Sequence, residues 1–156
     1  MRAAQSVIVL ACLVAWHAPV AGAQEPAPPA APNYVGADAC KSCHQAIYTS
    51  WSQTKHARTI NRLSTDKKAS GGCIRCHVTG SAEQIVREGG TPTYPNVQCE
   101  SCHGPGSLHA ADATVRTGIK KVPGAATCES CHNDKSPKFR GFVYAAMVGF
   151  AHPVKK

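Results

Sequence analysis

Apolar residues along this chain fall in one continuous run near the start and in short stripes after it. Val7 to Trp16 is uninterrupted; it follows Arg2 and precedes Ala21-Gly22-Ala23, so residues 1–23 read as an export signal cleaved after Ala23. Cys12 after Val9-Leu10-Ala11 resembles a lipobox, but that reading leaves only the five apolar residues Val7 to Ala11 ahead of it. Residues 24–35, rich in Pro and Ala, predict an extended disordered leader. Beyond them, His44, Ile47 and Trp51 share one helical face and His56, Ile60 and Leu63 another, predicting a helix over about 45–63. Phe139, Phe142, Val143, Met147 and Phe150 suit one face of a second helix over 136–151. No later stretch approaches the ~20 apolar residues that cross a bilayer, so the mature chain is expected to be free of stable membrane insertion and periplasmic, or beyond the cell.

These stripes are thin. From Gln24 onward the chain has 133 residues, of which Leu, Ile, Val and Phe number 19, below the level at which a chain builds its own core. The cysteines suggest what fills the middle. Apart from Cys12 there are eight, in four C-x-x-C pairs: Cys40 with Cys43, Cys73 with Cys76, Cys99 with Cys102, and Cys128 with Cys131. Each pair is followed at once by a histidine, His44, His77, His103 or His132. Two thiols three positions apart on a helical turn can add to the two vinyl groups of a haem, and the next residue then offers its imidazole to the iron. Four disulfides, or two zinc sites of four cysteines each, would use the thiols but leave the four histidines unexplained. Redox C-x-x-C motifs come once per domain beside a βαβ pattern, which is absent.

The sequence therefore predicts four covalent c-type haems with their irons, held by motifs 33, 26 and 29 residues apart. The expected fold is mainly α with extensive loops and little or no sheet, a small single domain over 36–156 whose core is the haems. The excess of 17 Lys plus Arg over 9 Asp plus Glu then serves mostly as counter-charge to haem propionates. Little remains for a nucleic-acid reading, and Lys120-Lys121 or Lys155-Lys156 could help dock an acidic redox protein.

Sixth ligands can be counted. Three histidines of the mature chain lie outside the motifs, His56, His109 and His152, one fewer than four haems need. One haem stays five-coordinate or takes another side chain. Met147 is the only mature methionine, although a methionine in an apolar stripe usually packs. A continuous helix would put His56 ~18 Å along and ~120° around from His44, so His56 should serve a haem other than the first. Gly104-Pro105-Gly106 should break the helix after the third motif and let the chain double back towards His109.

Tyr34-Val35-Gly36, Trp51-Ser52-Gln53-Thr54-Lys55-His56-Ala57, Cys76-His77-Val78-Thr79-Gly80 and the run Cys99-Glu100-Ser101-Cys102-His103-Gly104-Pro105-Gly106-Ser107-Leu108-His109 resemble the tetrahaem cytochromes of the cytochrome c-554 type. The resemblance runs from about residue 34 to His152. It implies electron transfer, in that family from hydroxylamine oxidoreductase. It also implies that His109 caps the haem of His44, that His56 and His152 cap the third and fourth haems in an order it leaves open, and that the haem of His77 is the open one. The chain is shorter than the family type, and residues 78–98, where the pocket over that haem is expected, offer Ser81, Glu83, Gln84, Arg87 and Glu88 but no histidine. Three functions follow: a carrier between a redox donor and a redox acceptor, a small reductase acting on NO or another nitrogen species at the open haem, and a subunit of a multihaem assembly.

Overall fold

The computed structural model describes residues 31–68, 71–81 and 92–153. The export signal, most of the leader, four of the five pocket residues named above (all but Ser81) and Lys155-Lys156 lie outside these. Short helices separated by turns dominate. The order is α1 (Ala37–Lys41), α2 (Gln45–Ser52), 3-10 turns at His56–Arg58 and Ile60–Arg62, α3 (Thr65–Lys68), α4 (Gly71–Ile74), β1 (Val78–Thr79), β2 (Tyr94–Pro95), α5 (Cys99–His103), α6 (Ser107–Ala111), α7 (Ala125–Glu129), α8 (Tyr144–Met147) and a last 3-10 turn at Val148–Phe150. The two strands pair antiparallel, Val78 opposite Pro95 and Thr79 opposite Tyr94. Among the described residues no helix is long and apolar enough to cross a membrane.

The first long helix expected from the pattern is broken. Helix α2 stops at Ser52 because its last residues turn their hydroxyls on the backbone: Ser52 Oγ donates to the Thr49 carbonyl and Thr54 Oγ1 to that of Trp51, both at 2.7 Å. Such bonds compete with helix propagation. Farther on, the Ile60 N–H is taken by Asn96 Oδ1 at 3.0 Å instead of by a helical carbonyl. The second long helix shrinks to α8 and a 3-10 turn. Pro137 lacks an N–H, and Gly141 at φ +97° lies outside helical space.

Side chains alone make a very small core. Among the described residues the buried apolar ones are Ala37, Ile74 and Val78, with half-buried Ile60 packed on the last two, while Val122, Val143 and Phe150 are largely exposed. Polar groups hold much of the fold instead. Glu100, 2 % exposed, accepts from three backbone N–H groups: those of Val35 (3.0 and 3.1 Å to its two oxygens), Gly36 (2.7 Å) and Gly106 (2.7 Å). The end of the expected leader is thereby drawn into the fold, and Asn33 follows, exchanging bonds with Ser107. Gly104 makes the tight turn after α5 at φ +90°, where a Cβ would overlap the Gly118 carbonyl oxygen.

Candidate functional site

Each C-x-x-C-H motif sits on one helical turn. In the first and fourth, the histidine N–H bonds to the carbonyl of the leading cysteine, His44 to Cys40 and His132 to Cys128, both at 2.9 Å. In the third the whole motif is helix α5, and in the second Cys73 lies in α4 with Cys76 and His77 in the turn that follows. All eight thiols are free, so the disulfide reading has no support in the geometry. Among the described residues no three His, Cys, Asp or Glu side chains converge on one metal position, which leaves the zinc reading without a site.

The thiols are not equally enclosed. Cys43 and Cys73 are exposed, whereas the other six are half-buried. Cys43 lies in the turn between α1 and α2, where its Sγ stands 3.8 Å from the hydroxyl of the neighbouring Ser42. Its place as the second thioether cysteine of motif one, expected from the spacing, is therefore not marked by burial or by a contact with another motif. What places it is the helical turn that carries Cys40 and His44.

Other motif cysteines interleave in space. The neighbouring Cys99 thiol lowers that of Cys40, while Cys40, together with burial, raises that of Cys99. Burial pushes Cys76 up to about 11, with Cys131 beside it adding to the rise. Burial likewise holds Cys102 at about 11, helped by Cys128 and Cys131. Motif one therefore neighbours motif three, three neighbours four, and four neighbours two.

The histidines form three facing pairs. Ring centroids lie 6.3 Å apart for His44 and His109, 6.0 Å for His56 and His132, and 6.1 Å for His103 and His152. Among the described residues the three histidines outside the motifs are all engaged in this way, each with a different motif histidine. Among the described residues His77 has no facing ring. Met147 borders a cleft of about 360 Å³ together with Cys131, His132, Lys138, Phe139 and Arg140.

Known proteins resemble this chain in sequence and in fold. Residues 39–104 match the family model for cytochrome c554 and c-prime. Cytochrome c-554 of Nitrosomonas europaea is 31% identical over 97 residues, which is 51% of this chain and 41% of that protein. The solved reduced state of cytochrome c554 from Nitrosomonas europaea superposes with a TM-score of 0.53 at 22% identity, over 78% of this chain and 79% of that one.

The likeness, in sequence over part of the chain and in fold over most of it, is to cytochromes of the c-554 type.

The group that C-x-x-C-H motifs attach is a haem iron, and the geometry of these residues fits it. An imidazole nitrogen bound to a first-row metal stands ~2 Å from it, so two rings on opposite sides of one metal have centroids ~6 Å apart. That is the spacing of the three pairs. The carbonyls around the rings fix the tautomer as well. His77 Nδ1 donates to the Thr59 carbonyl (2.8 Å), His103 Nδ1 to that of Lys120 (2.6 Å) and His109 Nδ1 to that of Val115 (2.9 Å). Each bond leaves Nε2 with its lone pair for a metal. Burial lowers the His56 pKa, which favours the neutral form that can ligate. At His109 the exposed Arg116 guanidinium donates to Nε2 (3.2 Å), so a metal there would take over its place.

Two polar residues of the chain hold these groups although their types carry no motif. The Thr59 hydroxyl, in the turn after His56, donates to the His77 carbonyl (2.9 Å) and accepts from the Val97 N–H (3.2 Å), while the Thr59 carbonyl holds the His77 ring. Thr79 Oγ1 donates to the Asn96 carbonyl (2.9 Å) and accepts from the Gln98 N–H (2.8 Å), binding the strand after motif two to the residue before motif three. Thr59→Val keeps the shape and removes the hydroxyl; it is expected to cost about 1–2 kcal/mol in denaturant unfolding. A change well under that would mean that the hydroxyl does not tie His77 to Val97.

Proposed function

We propose that this chain is a cytochrome of the c-554 type, an exported, periplasmic electron carrier with four covalent haems, one at each C-x-x-C-H motif. The observation that carries the reading is the set of three imidazole pairs, each joining a motif histidine to one from elsewhere in the chain. On this reading His44 and His109 would hold the iron of the first haem, His103 and His152 that of the third, and His132 and His56 that of the fourth. The second haem has His77 alone among the described residues. When bound, each haem supplies an iron that takes up and releases one electron.

The chain's own residues do the rest. Cys40 and Cys43 tether the first haem, Cys73 and Cys76 the second, Cys99 and Cys102 the third, and Cys128 and Cys131 the fourth. Each tether is a thioether, the sulfur bonding to a vinyl carbon and the thiol hydrogen passing to its neighbour. The carbonyls of Thr59, Lys120 and Val115 hold imidazoles in a ligating orientation. The contacts among the cysteines support an order of one, three, four, two along the protein, with the haem of His77 at an end. Exposed Lys120 and Lys121 lie beside the third motif, where they would favour an acidic partner, donor or acceptor.

A second reading, a small reductase acting on NO or a related nitrogen species, rests on His77 having no facing ring. One experiment bears on both. Protein matured in a host with a c-type haem assembly system is expected to gain the mass of four haems and to show a high-spin signal, with CO binding on reduction at one site of the four. Four haems that are all low spin and inert to CO would remove the reductase site, and no covalent haem at all would overturn the proposal.

A further inference from the structure

The three imidazole pairs differ in how their planes are set. His44 and His109 are tilted by 30° and His103 and His152 by 23°, whereas His56 and His132 cross at 80°. The first two pairs each contain a ring steered by an Nδ1–H bond to a backbone carbonyl, at His109 and His103. His132 has no ring-nitrogen hydrogen bond among the described residues. Its face is instead stacked on Phe142, with centroids 5.1 Å apart and planes 24° from parallel. The second side-chain torsion of histidine is broad and soft, so the stacked ring is what chooses its plane.

Phe142 is itself held. Gly141 at φ +97° turns the chain just before it, and two residues later Tyr144 Oη donates to the Pro123 carbonyl at 2.6 Å, tying α8 to the segment that leads into α7 and Cys128. We propose that Phe142 is a positioning residue that fixes the His132 imidazole crosswise to His56, so that the fourth-motif haem has crossed axial rings while the first and third have nearly parallel ones. This rests on the axial pairs proposed above.

The consequence is electronic. The filled π orbital of an imidazole overlaps the one metal dπ orbital that lies across its ring plane. Parallel rings act on the same dπ orbital and split the two in energy; crossed rings act on one each and leave them close together. A low-spin ferric iron with nearly equal dπ orbitals keeps orbital angular momentum, and its magnetic resonance shows a single feature at large g in place of an ordinary rhombic spectrum. Ligand orientation set by neighbouring groups is one means by which a protein tunes a haem.

The test uses low-temperature electron paramagnetic resonance with near-infrared magnetic circular dichroism on the oxidised, haem-loaded protein. In the unaltered protein one large-g signal is expected beside rhombic ones, and His56→Ala should abolish it and add a high-spin centre, assigning it to the fourth motif. Phe142→Leu should move that signal towards the rhombic type with haem mass and bis-imidazole near-infrared bands unchanged, and Phe142→Tyr should restore it. Phe142→Met repeats the test if the Leu variant does not accumulate. A large-g signal that stays in place in the Leu and Met variants would overturn the role of Phe142. Intact bis-imidazole bands with no large-g signal in the unaltered protein would overturn the crossed geometry. Missing bis-imidazole bands would instead sink the axial-pair reading itself.

Discussion

Replacing Glu100 by Ala is expected to destabilise the folded chain by on the order of 3–5 kcal/mol, since it orphans three backbone N–H groups that now share one carboxylate. That is a large part of the total stability of a small domain. Glu100 is almost fully enclosed, in the first turn of α5, and its donors come from three places: Val35 and Gly36 lead into α1 and the first motif, and Gly106 precedes α6 and His109. One side chain thereby braces motif one, motif three and the histidine facing His44. Glu100→Gln should fall between the parent and the Ala variant, because an amide keeps one acceptor oxygen but points an NH2 at the other donors. Denaturant unfolding of the haem-loaded protein measures both; a loss below about 1 kcal/mol in the Ala variant would show that water replaces the carboxylate without penalty.

Loss of the low-spin state at a single haem is the outcome expected for His109→Ala. On the proposed assignment His44 then has no facing imidazole, so the first haem becomes five-coordinate. CO binding on reduction should rise from one site to two, with haem mass unchanged because both thioether cysteines of that motif, Cys40 and Cys43, remain. The change is all-or-none for that haem and so exceeds what the loss of a hydrogen bond would produce. If the stoichiometry of CO stays at one, His109 is not the ligand opposite His44, and the 6.3 Å pairing of their rings is only packing.

How much of this was legible beforehand depends on the range of the signal. On the proposed reading, the motif cysteines and histidines are legible because thioether attachment demands fixed residue types at fixed local spacing. Cys43 shows this most plainly, since an exposed thiol in a turn draws no notice except through its distance along the chain from Cys40 and His44. His56, His109 and His152 emerged by counting. Glu100 and Thr59 did not, because an acid and a hydroxyl acquire their roles only from donors and acceptors far along the chain. The one hint, a glutamate inside the third motif just ahead of Gly104-Pro105-Gly106, has no meaning until the turn at Gly104 brings the Gly106 N–H back to it. For a related reason the two long helices that apolar spacing suits do not form, because Ser52, Thr54, Pro137 and Gly141 oppose propagation locally.

The four C-x-x-C-H motifs, the shortage of apolar side chains and the count of one histidine fewer outside the motifs of the mature chain than there are motifs are already fixed by the chain's composition and by spacing within a single helical turn. Tertiary structure alone decided which distant histidine faces which motif: His109 turns to His44, His152 to His103 and His56 to His132. It also decided that the last pair is crossed and the other two are not. Those choices depend on long-range hydrogen bonds and ring contacts, such as Thr59 with His77 and Phe142 with His132, whose partners no local pattern specifies.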